Sequence, residues 1–214
     1  MSFTQELRRQ AGGIFQAIFD HPFVKGIAEG NLEREQLIHY VKQDYEYLNA
    51  YMRIYGIAIS KSTSREEIAA FNEQISFILH SEVHPHQNFC AAAGVTYEEL
   101  QGYSLAPSAH HYIRHMLTVA HEGSLGEIMA VLLPCPWTYL EIGRKLLNEA
   151  KPETSHPFLR LDFFLRKPGG RRDSQILRPC RCMGGARDVS RAGTDEGAFY
   201  AELPAGVSVL GHGL

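Results

Sequence analysis

The sequence predicts an all-α helical bundle over residues 1–158 and an irregular tail over residues 159–214. In the first part, apolar residues recur at helical spacing, capping residues interrupt them at short intervals, and no stretch alternates like a strand. The tail holds nine of the 19 glycines and shows neither the helical nor the strand period. Short connections between the helices are typical of a bundle whose neighbours run antiparallel.

The first three helices are marked by caps at their amino ends. We expect them over about residues 2–20, 22–30 and 32–62, with Ser2 and Asn31 as N-caps and a proline at the start of the second. The third is the longest predicted element, and at about 1.5 Å per residue it spans roughly 45 Å.

Two capping boxes begin the segments that follow. In such a box, the N-cap side chain and a glutamate three residues later satisfy each other's backbone N–H groups. The boxes pair Ser64 with Glu67 and Thr96 with Glu99, and Gly94 ends the helix between them.

Two prolines interrupt the last predicted helix. The last two predicted helices cover about residues 107–122 and 124–149. Pro134 and Pro136 each remove a backbone donor, so the carbonyls of Ala130 and Leu132 lose their usual partners and a kink is expected. Free cysteines often pack as small apolar residues, but the flanking prolines favour a reactive thiol at Cys135.

A carboxylate and three phenols share one face of the third predicted helix. Tyr40, Asp44, Tyr47 and Tyr51 are spaced four, three and four residues apart. Two interpretations stay open. The face is either a core stripe in which Asp44 binds phenol hydroxyls, or a pocket wall on which tyrosines bracket a flat aromatic ligand and Asp44 accepts from its amino group or ring nitrogen.

Composition excludes several classes of protein. With 44% hydrophobic residues and a net charge of −3, the chain is typical of a globular protein and not of one that binds nucleic acid. No apolar run approaches the roughly 20 residues of a membrane span, and the amino terminus is charged where a signal peptide is apolar. We therefore expect a cytoplasmic protein with no membrane or nucleic-acid partner, whose four cysteines are reduced.

The histidines do not favour a metal site. His80, Glu82 and His84 are expected on one helix, and His111 forms an i, i+4 pair with His115, but a third and fourth ligand of matching geometry are not evident. Solvated or capping histidines are the preferred interpretation.

Four strings in the first part of the chain carry a family resemblance. They are HPFVKGIAEGNL at 21–32, QDYEYL at 43–48, GSLGEIMAVLLPCPWTYLEIG at 123–143 and SHPF at 155–158. Together they resemble the TenA family, also called thiaminase II or aminopyrimidine aminohydrolase, over about residues 2–158. The third string is the most specific. The resemblance implies an all-α bundle with the haem-oxygenase-like fold.

The resemblance also implies an activity and its residues. The implied protein is a hydrolase of thiamin salvage and degradation, which converts aminopyrimidine or thiamin to hydroxymethylpyrimidine. Cys135 would be the nucleophile that adds to the pyrimidine ring, and Asp44 would bind the ring nitrogen and amino group. Tyr47, Tyr112 and Tyr139 would line and polarise the pocket. The resemblance also implies a homotetramer, the common assembly of the family, that uses neither a metal ion nor an organic cofactor.

Two other functions remain alternatives. A non-enzymatic transcriptional regulator would tolerate loss of the Cys135 thiol, although no basic helix or helix-turn-helix pattern supports contact with DNA. An oxidase or di-iron oxygenase on the same fold would bind iron through carboxylates and histidines and would not need that thiol.

The tail departs from the resemblance after Phe158. The family continues with further helices, the last of which carries a glutamate implied to protonate the leaving group, and no tail residue takes that role. Residues from Phe158 onward can be back-translated with suitable synonymous codons and then translated again in the frame shifted by one extra T, which gives YAWISFYGNPEVDA. The same shift applied from Ala201 gives QSFRLEYRFWDMA. Both strings resemble the family's continuation. This pattern indicates a single-base insertion after the Phe158 codon, and the chain as printed is expected to be poorly soluble and weakly active.

Overall fold

The described part of the chain is built from α-helices. The computed structural model describes residues 9–81 and 83–149, and within those ranges it contains no strand. The helices are α1 (Gly12–Asp20), α2 (Pro22–Glu29), α3 (Arg34–Lys61), α4 (Arg65–Ser81), α5 (Val83–Ala93), α6 (Pro107–Glu122), α7 (Leu125–Leu132) and α8 (Pro134–Glu149). A short 3₁₀ helix at Glu98–Leu100 lies between α5 and α6.

The long helix α3 is the centre of the packing. It contacts α4, α5, α6 and α7, so residues on its different faces reach most of the described bundle. The larger core cluster lies where α3 meets α4, α6 and α7, and includes Ile54, Phe71, Met116 and Ile128. A second cluster joins the amino-terminal half of α3 to α2 and α5. The predicted all-α bundle is confirmed for the described residues.

Most predicted helix ends agree with the structure. Ser64 and Glu67 form the expected capping box, with the Ser64 N–H donating to Glu67 at 3.1 Å and the Glu67 N–H donating to the Ser64 hydroxyl at 3.1 Å. Gly30 and Gly94 end their helices in the left-handed region, at φ 71° and 67°. The Thr96 and Glu99 pair also forms, but the segment it opens is the 3₁₀ helix and not a longer one.

The expected start of the third helix was wrong by two residues. Asn31 does not cap α3, because its side-chain amide donates to Glu29 at 2.8 Å instead. The chain stays non-helical through residues 31–33, and Glu33 is the N-cap, with its N–H donating to the Gln36 side chain at 2.9 Å.

Several expectations lie outside the described residues, namely the N-cap at Ser2 and every statement about residues 159–214. Among the helices that are described, none combines the length and the apolar character that a membrane crossing needs.

Candidate active site

The break between α7 and α8 places Cys135 beside α3. Helix α7 ends at Leu132, and α8 begins at Pro134, which is buried. The carbonyl of Leu132, which Pro136 leaves without a helical donor, accepts a hydrogen bond from the Tyr51 hydroxyl of α3. The predicted interruption of the helix is confirmed at this position, and the Leu132 carbonyl has exchanged its helical donor for a side-chain hydroxyl. Cys135 is partly buried immediately after the break.

Tyr51 therefore stabilises the break as well as filling the core. The variant Tyr51→Phe keeps the ring but leaves the Leu132 carbonyl without its donor. We expect the free energy of unfolding to fall by about 1–3 kcal/mol in urea titrations, the cost of an unsatisfied buried polar group. Tyr45→Phe is the matched control, because Tyr45 lies on the same helix and is only half-buried. Equal effects of the two substitutions would contradict this role of the hydroxyl.

The predicted stripe on α3 does face the interior. Tyr40 and Asp44 are each 8% exposed, and Tyr47 and Tyr51 are each 4% exposed. A buried carboxylate at this depth needs hydrogen-bond donors or a charge partner. The structure supplies two partners, the Tyr40 hydroxyl of α3 itself and the imidazole of His86 on α5.

Tyr47 of the stripe has neighbours from two other helices, Tyr112 of α6 and Cys135 of α8. The rings of Tyr47 and Tyr112 lie 5.4 Å apart, centroid to centroid, across the α3–α6 contact. Burial, followed by the neighbouring Cys135 thiol, raises the pKa of Tyr47 well above its usual range. No hydrogen bond of acceptable geometry reaches the Tyr47 hydroxyl within the described residues, so the approach of Cys135 is a close contact. Tyr47 is therefore a neutral phenol next to the thiol.

Tyr139 of α8 contacts the end of the stripe that holds Tyr40. Its hydroxyl lies 2.5 Å from the hydroxyl of Tyr40, which in turn lies 3.3 Å from Oδ2 of Asp44. Tyr139 is four residues from Cys135, so the same helix carries both to the face of α3 that holds Asp44. The five residues singled out in the sequence thus fall into two groups along α3: Cys135 and Tyr112 lie beside Tyr47, and Tyr139 connects to Asp44 through Tyr40.

His86 was missed by the sequence analysis, where solvated or capping histidines were preferred. His86 is 2% exposed, and its Nε2 lies 2.7 Å from Oδ2 of Asp44. Its Nδ1 lies 3.2 Å from the hydroxyl of Tyr97. A spacing signal existed, because the buried residues of α5 recur at helical intervals: His86, Phe89, Cys90 and Ala93.

The histidines do not form a metal centre in the described part of the chain. The expected single helix for His80 and His84 was wrong, because His80 belongs to α4 and His84 to α5. Across residues 9–81 and 83–149, no group of three or more metal-ligating side chains is found.

The comparison with protein families identifies the chain. Residues 8–160 match the model of the TENA/THI-4/PQQC family. The chain belongs to this family. The predicted TenA resemblance is thereby confirmed, and the match ends two residues beyond Phe158, where the sequence analysis placed the change of character.

Curated relatives in the TENA/THI-4/PQQC family carry an enzyme name. A protein named aminopyrimidine aminohydrolase from Halalkalibacterium halodurans is 36% identical over 158 residues, which is 74% of this chain and 70% of the relative. A protein of the same name from Bacillus subtilis is 33% identical over 150 residues, 69% of this chain and 63% of the relative. The chain thus matches about two thirds of the length of these relatives.

Solved structures agree on the fold. A TenA homologue from P. horikoshii OT3 superposes with a TM-score of 0.85 at 22% identity, covering 100% of this chain and 98% of that one. A domain with a heme oxygenase-like fold from Shewanella denitrificans superposes with a TM-score of 0.66 at 11% identity, covering 98% of this chain and 91% of that one. The haem-oxygenase-like, all-α fold predicted for this TENA/THI-4/PQQC family member is confirmed.

Proposed function

We propose that this chain is an aminopyrimidine aminohydrolase of thiamin salvage. The observation that carries the proposal is the placement of Cys135 and Asp44 along one face of α3. Tyr47 contacts the thiol, and Tyr40 with Tyr139 connects the thiol's own helix to the carboxylate. A nucleophile and a ring-binding carboxylate on one aromatic surface suit a flat heterocycle. The enzyme name of the curated relatives supports the same activity.

In the proposed reaction, water replaces the amino group on the exocyclic methylene of the pyrimidine. The Cys135 thiolate adds to a ring carbon, and the electron pair displaced through the ring expels the amine, which takes up a proton and leaves as ammonia. Water then adds to the exocyclic methylene, its proton is lost, and the thiolate departs as the aromatic ring is restored. The products are hydroxymethylpyrimidine and ammonia, so atoms and electrons balance without an oxidant or reductant.

The other residues have supporting roles in this proposal. Asp44 binds the ring nitrogen and amino group and stabilises the charge that develops on the ring when the thiolate adds. Tyr47 is a neutral phenol beside Cys135, so it offers an O–H donor to the thiolate. Tyr112 packs against Tyr47 with its ring tilted by 34°, and Tyr139 lines the surface next to Asp44.

Further features are proposed from the family resemblance alone. They are a homotetrameric assembly, a cytoplasmic location, thiamin as a second substrate, and the absence of a metal ion or organic cofactor.

We also propose that residues 159–214 are read from a shifted frame. The family match ends at residue 160, which supports a boundary close to Phe158. The coding sequence tests this directly. A run of T at the Phe158 codon and an open neighbouring frame that encodes the family-like strings are expected, and the lack of either contradicts the proposal.

An activity assay tests the proposed function. The printed chain and a frame-restored chain, meaning residues 1–158 followed by the shifted reading frame, are each incubated with aminomethylpyrimidine or thiamin, and ammonia and hydroxymethylpyrimidine are measured. The frame-restored chain is expected to be much faster, because it regains the family's acidic residue. Bound iron in elemental analysis, with no pyrimidine turnover by either chain, would instead favour the di-iron alternative.

A further inference from the structure

The Asp44 carboxylate is held through one of its two oxygens. His86 Nε2 lies 2.7 Å from Oδ2, and the Tyr40 hydroxyl lies 3.3 Å from the same atom. In the described residues no hydrogen bond reaches Oδ1, although the side chain keeps 12% of its surface exposed. One oxygen is thus engaged by the protein, and the other is available to a ligand.

Asp44 sets the direction of the hydrogen bonds around His86, and Tyr97 completes them. Burial, followed by the negative charge of Asp44, raises the pKa of Tyr97 well above its usual range, so Tyr97 stays a phenol. A carboxylate only accepts, so the proton in the hydrogen bond between Asp44 and His86 comes from Nε2. In the tautomer with its proton on Nε2, Nδ1 is an acceptor, and the Tyr97 hydroxyl, 3.2 Å away, donates to it. The imidazole then carries its own proton on Nε2 and donates it to Asp44.

The hydrogen bonds of Tyr40, the other donor to Asp44, also point toward the carboxylate. Tyr40 has a single hydroxyl proton, and when it donates this proton to Asp44, the Tyr139 hydroxyl must donate to Tyr40. Both hydrogen-bonded chains therefore end on Oδ2 of the carboxylate.

We propose that His86 is a positioning residue, which holds Oδ2 of Asp44 through its Nε2–H so that Oδ1 faces the ring nitrogen and amino group of the bound pyrimidine. The inference rests on the proposed function, because that function supplies the pyrimidine. His86 itself does not touch substrate. It acts by fixing the rotation of a carboxylate before the ligand arrives, which lowers the cost of ordering the site.

Two substitutions of His86 separate positioning from simple space filling. His86→Gln places an amide N–H where Nε2 was, so the donor to Asp44 is kept. His86→Asn keeps a polar group near Tyr97 but is too short to reach Asp44. Calorimetric titration of the full chain with hydroxymethylpyrimidine is expected to give a Kd within about threefold of wild type for His86→Gln, and one weaker by about 10- to 100-fold for His86→Asn. Circular dichroism and melting curves show whether both variants are folded.

The imidazole tautomer gives a readout that needs no substrate. In ¹⁵N-edited NMR of the wild-type chain, His86 is expected to carry its proton on Nε2 and to accept at Nδ1. A proton on Nδ1 alone, or equal losses of binding in folded His86→Gln and His86→Asn, would overturn the inference. If wild type does not bind the pyrimidine, the proposed function fails, and the tautomer alone decides whether His86 holds Asp44.

Discussion

Replacing Cys135 by serine in the frame-restored chain is expected to lower kcat/KM for aminomethylpyrimidine roughly 1000-fold or more. A serine hydroxyl is almost entirely protonated at neutral pH, so it adds to a ring carbon far more slowly than a thiolate. The geometry supports this choice of nucleophile, because Cys135 lies at the α7–α8 break beside the Tyr47 phenol. Steady-state release of ammonia measures the loss.

Cys90→Ala is the matched control for the nucleophile. Cys90 is 3% exposed and packs in the second core cluster, where burial raises the pKa of its thiol, so it has neither access nor activation. The kcat/KM of the Cys90→Ala variant is expected to stay within about twofold of the value for the parent chain. Full activity in Cys135→Ser would refute the cysteine mechanism, and an effect on transcription that survives Cys135→Ala would favour the regulator alternative.

Asp44→Asn is expected to lower kcat/KM about 100- to 1000-fold, the range seen when one preorganised electrostatic partner is removed. The amide has nearly the shape of the carboxylate, so the fold should be kept. Its oxygen is expected to turn toward the His86 donor, which leaves the amide NH₂ facing the ring where an acceptor is needed. Kinetics of the folded variant against aminomethylpyrimidine measure the loss.

Asp20→Asn is the matched control for the carboxylate. Asp20 is exposed at the end of α1, where it forms an ion pair with Lys25 at 3.3 Å. Such surface pairs contribute little, so both activity and melting temperature should change only slightly. Comparable losses of activity in the two asparagine variants would show that Asp44 has no special place in the reaction.

Local patterns were enough to predict most of the helices and the break before Pro134. Proline removes a backbone donor whatever surrounds it, so the free carbonyl at Leu132 could be inferred from Pro136 alone. The inward face of α3 followed from spacing, because residues three and four apart share a helical face. Spacing alone could not predict which group donates to the Leu132 carbonyl. The packing of α3 against α7 shows that the donor is the Tyr51 hydroxyl.

The partners of Asp44 depend on tertiary packing in the same way. The sequence showed that a buried carboxylate needs donors, but His86 lies 42 residues away on another helix, and the contact between Tyr40 and Tyr139 spans 99 residues. The N-cap of α3 was missed for a local reason. Asn31 and Glu33 are both near the helix start, and the choice depends on where the chain leaves the left-handed Gly30.

The unbroken course of α3 through the site restricts which changes of length the protein tolerates. Asp44 and Tyr47 sit on one uninterrupted helix, so their relative direction is fixed by the residue count between them. Deleting a single residue there would rotate one against the other by about 100°. Insertions and deletions should therefore be confined to the connections outside α3, and a one-residue deletion inside it would disable the enzyme while every named side chain is still present.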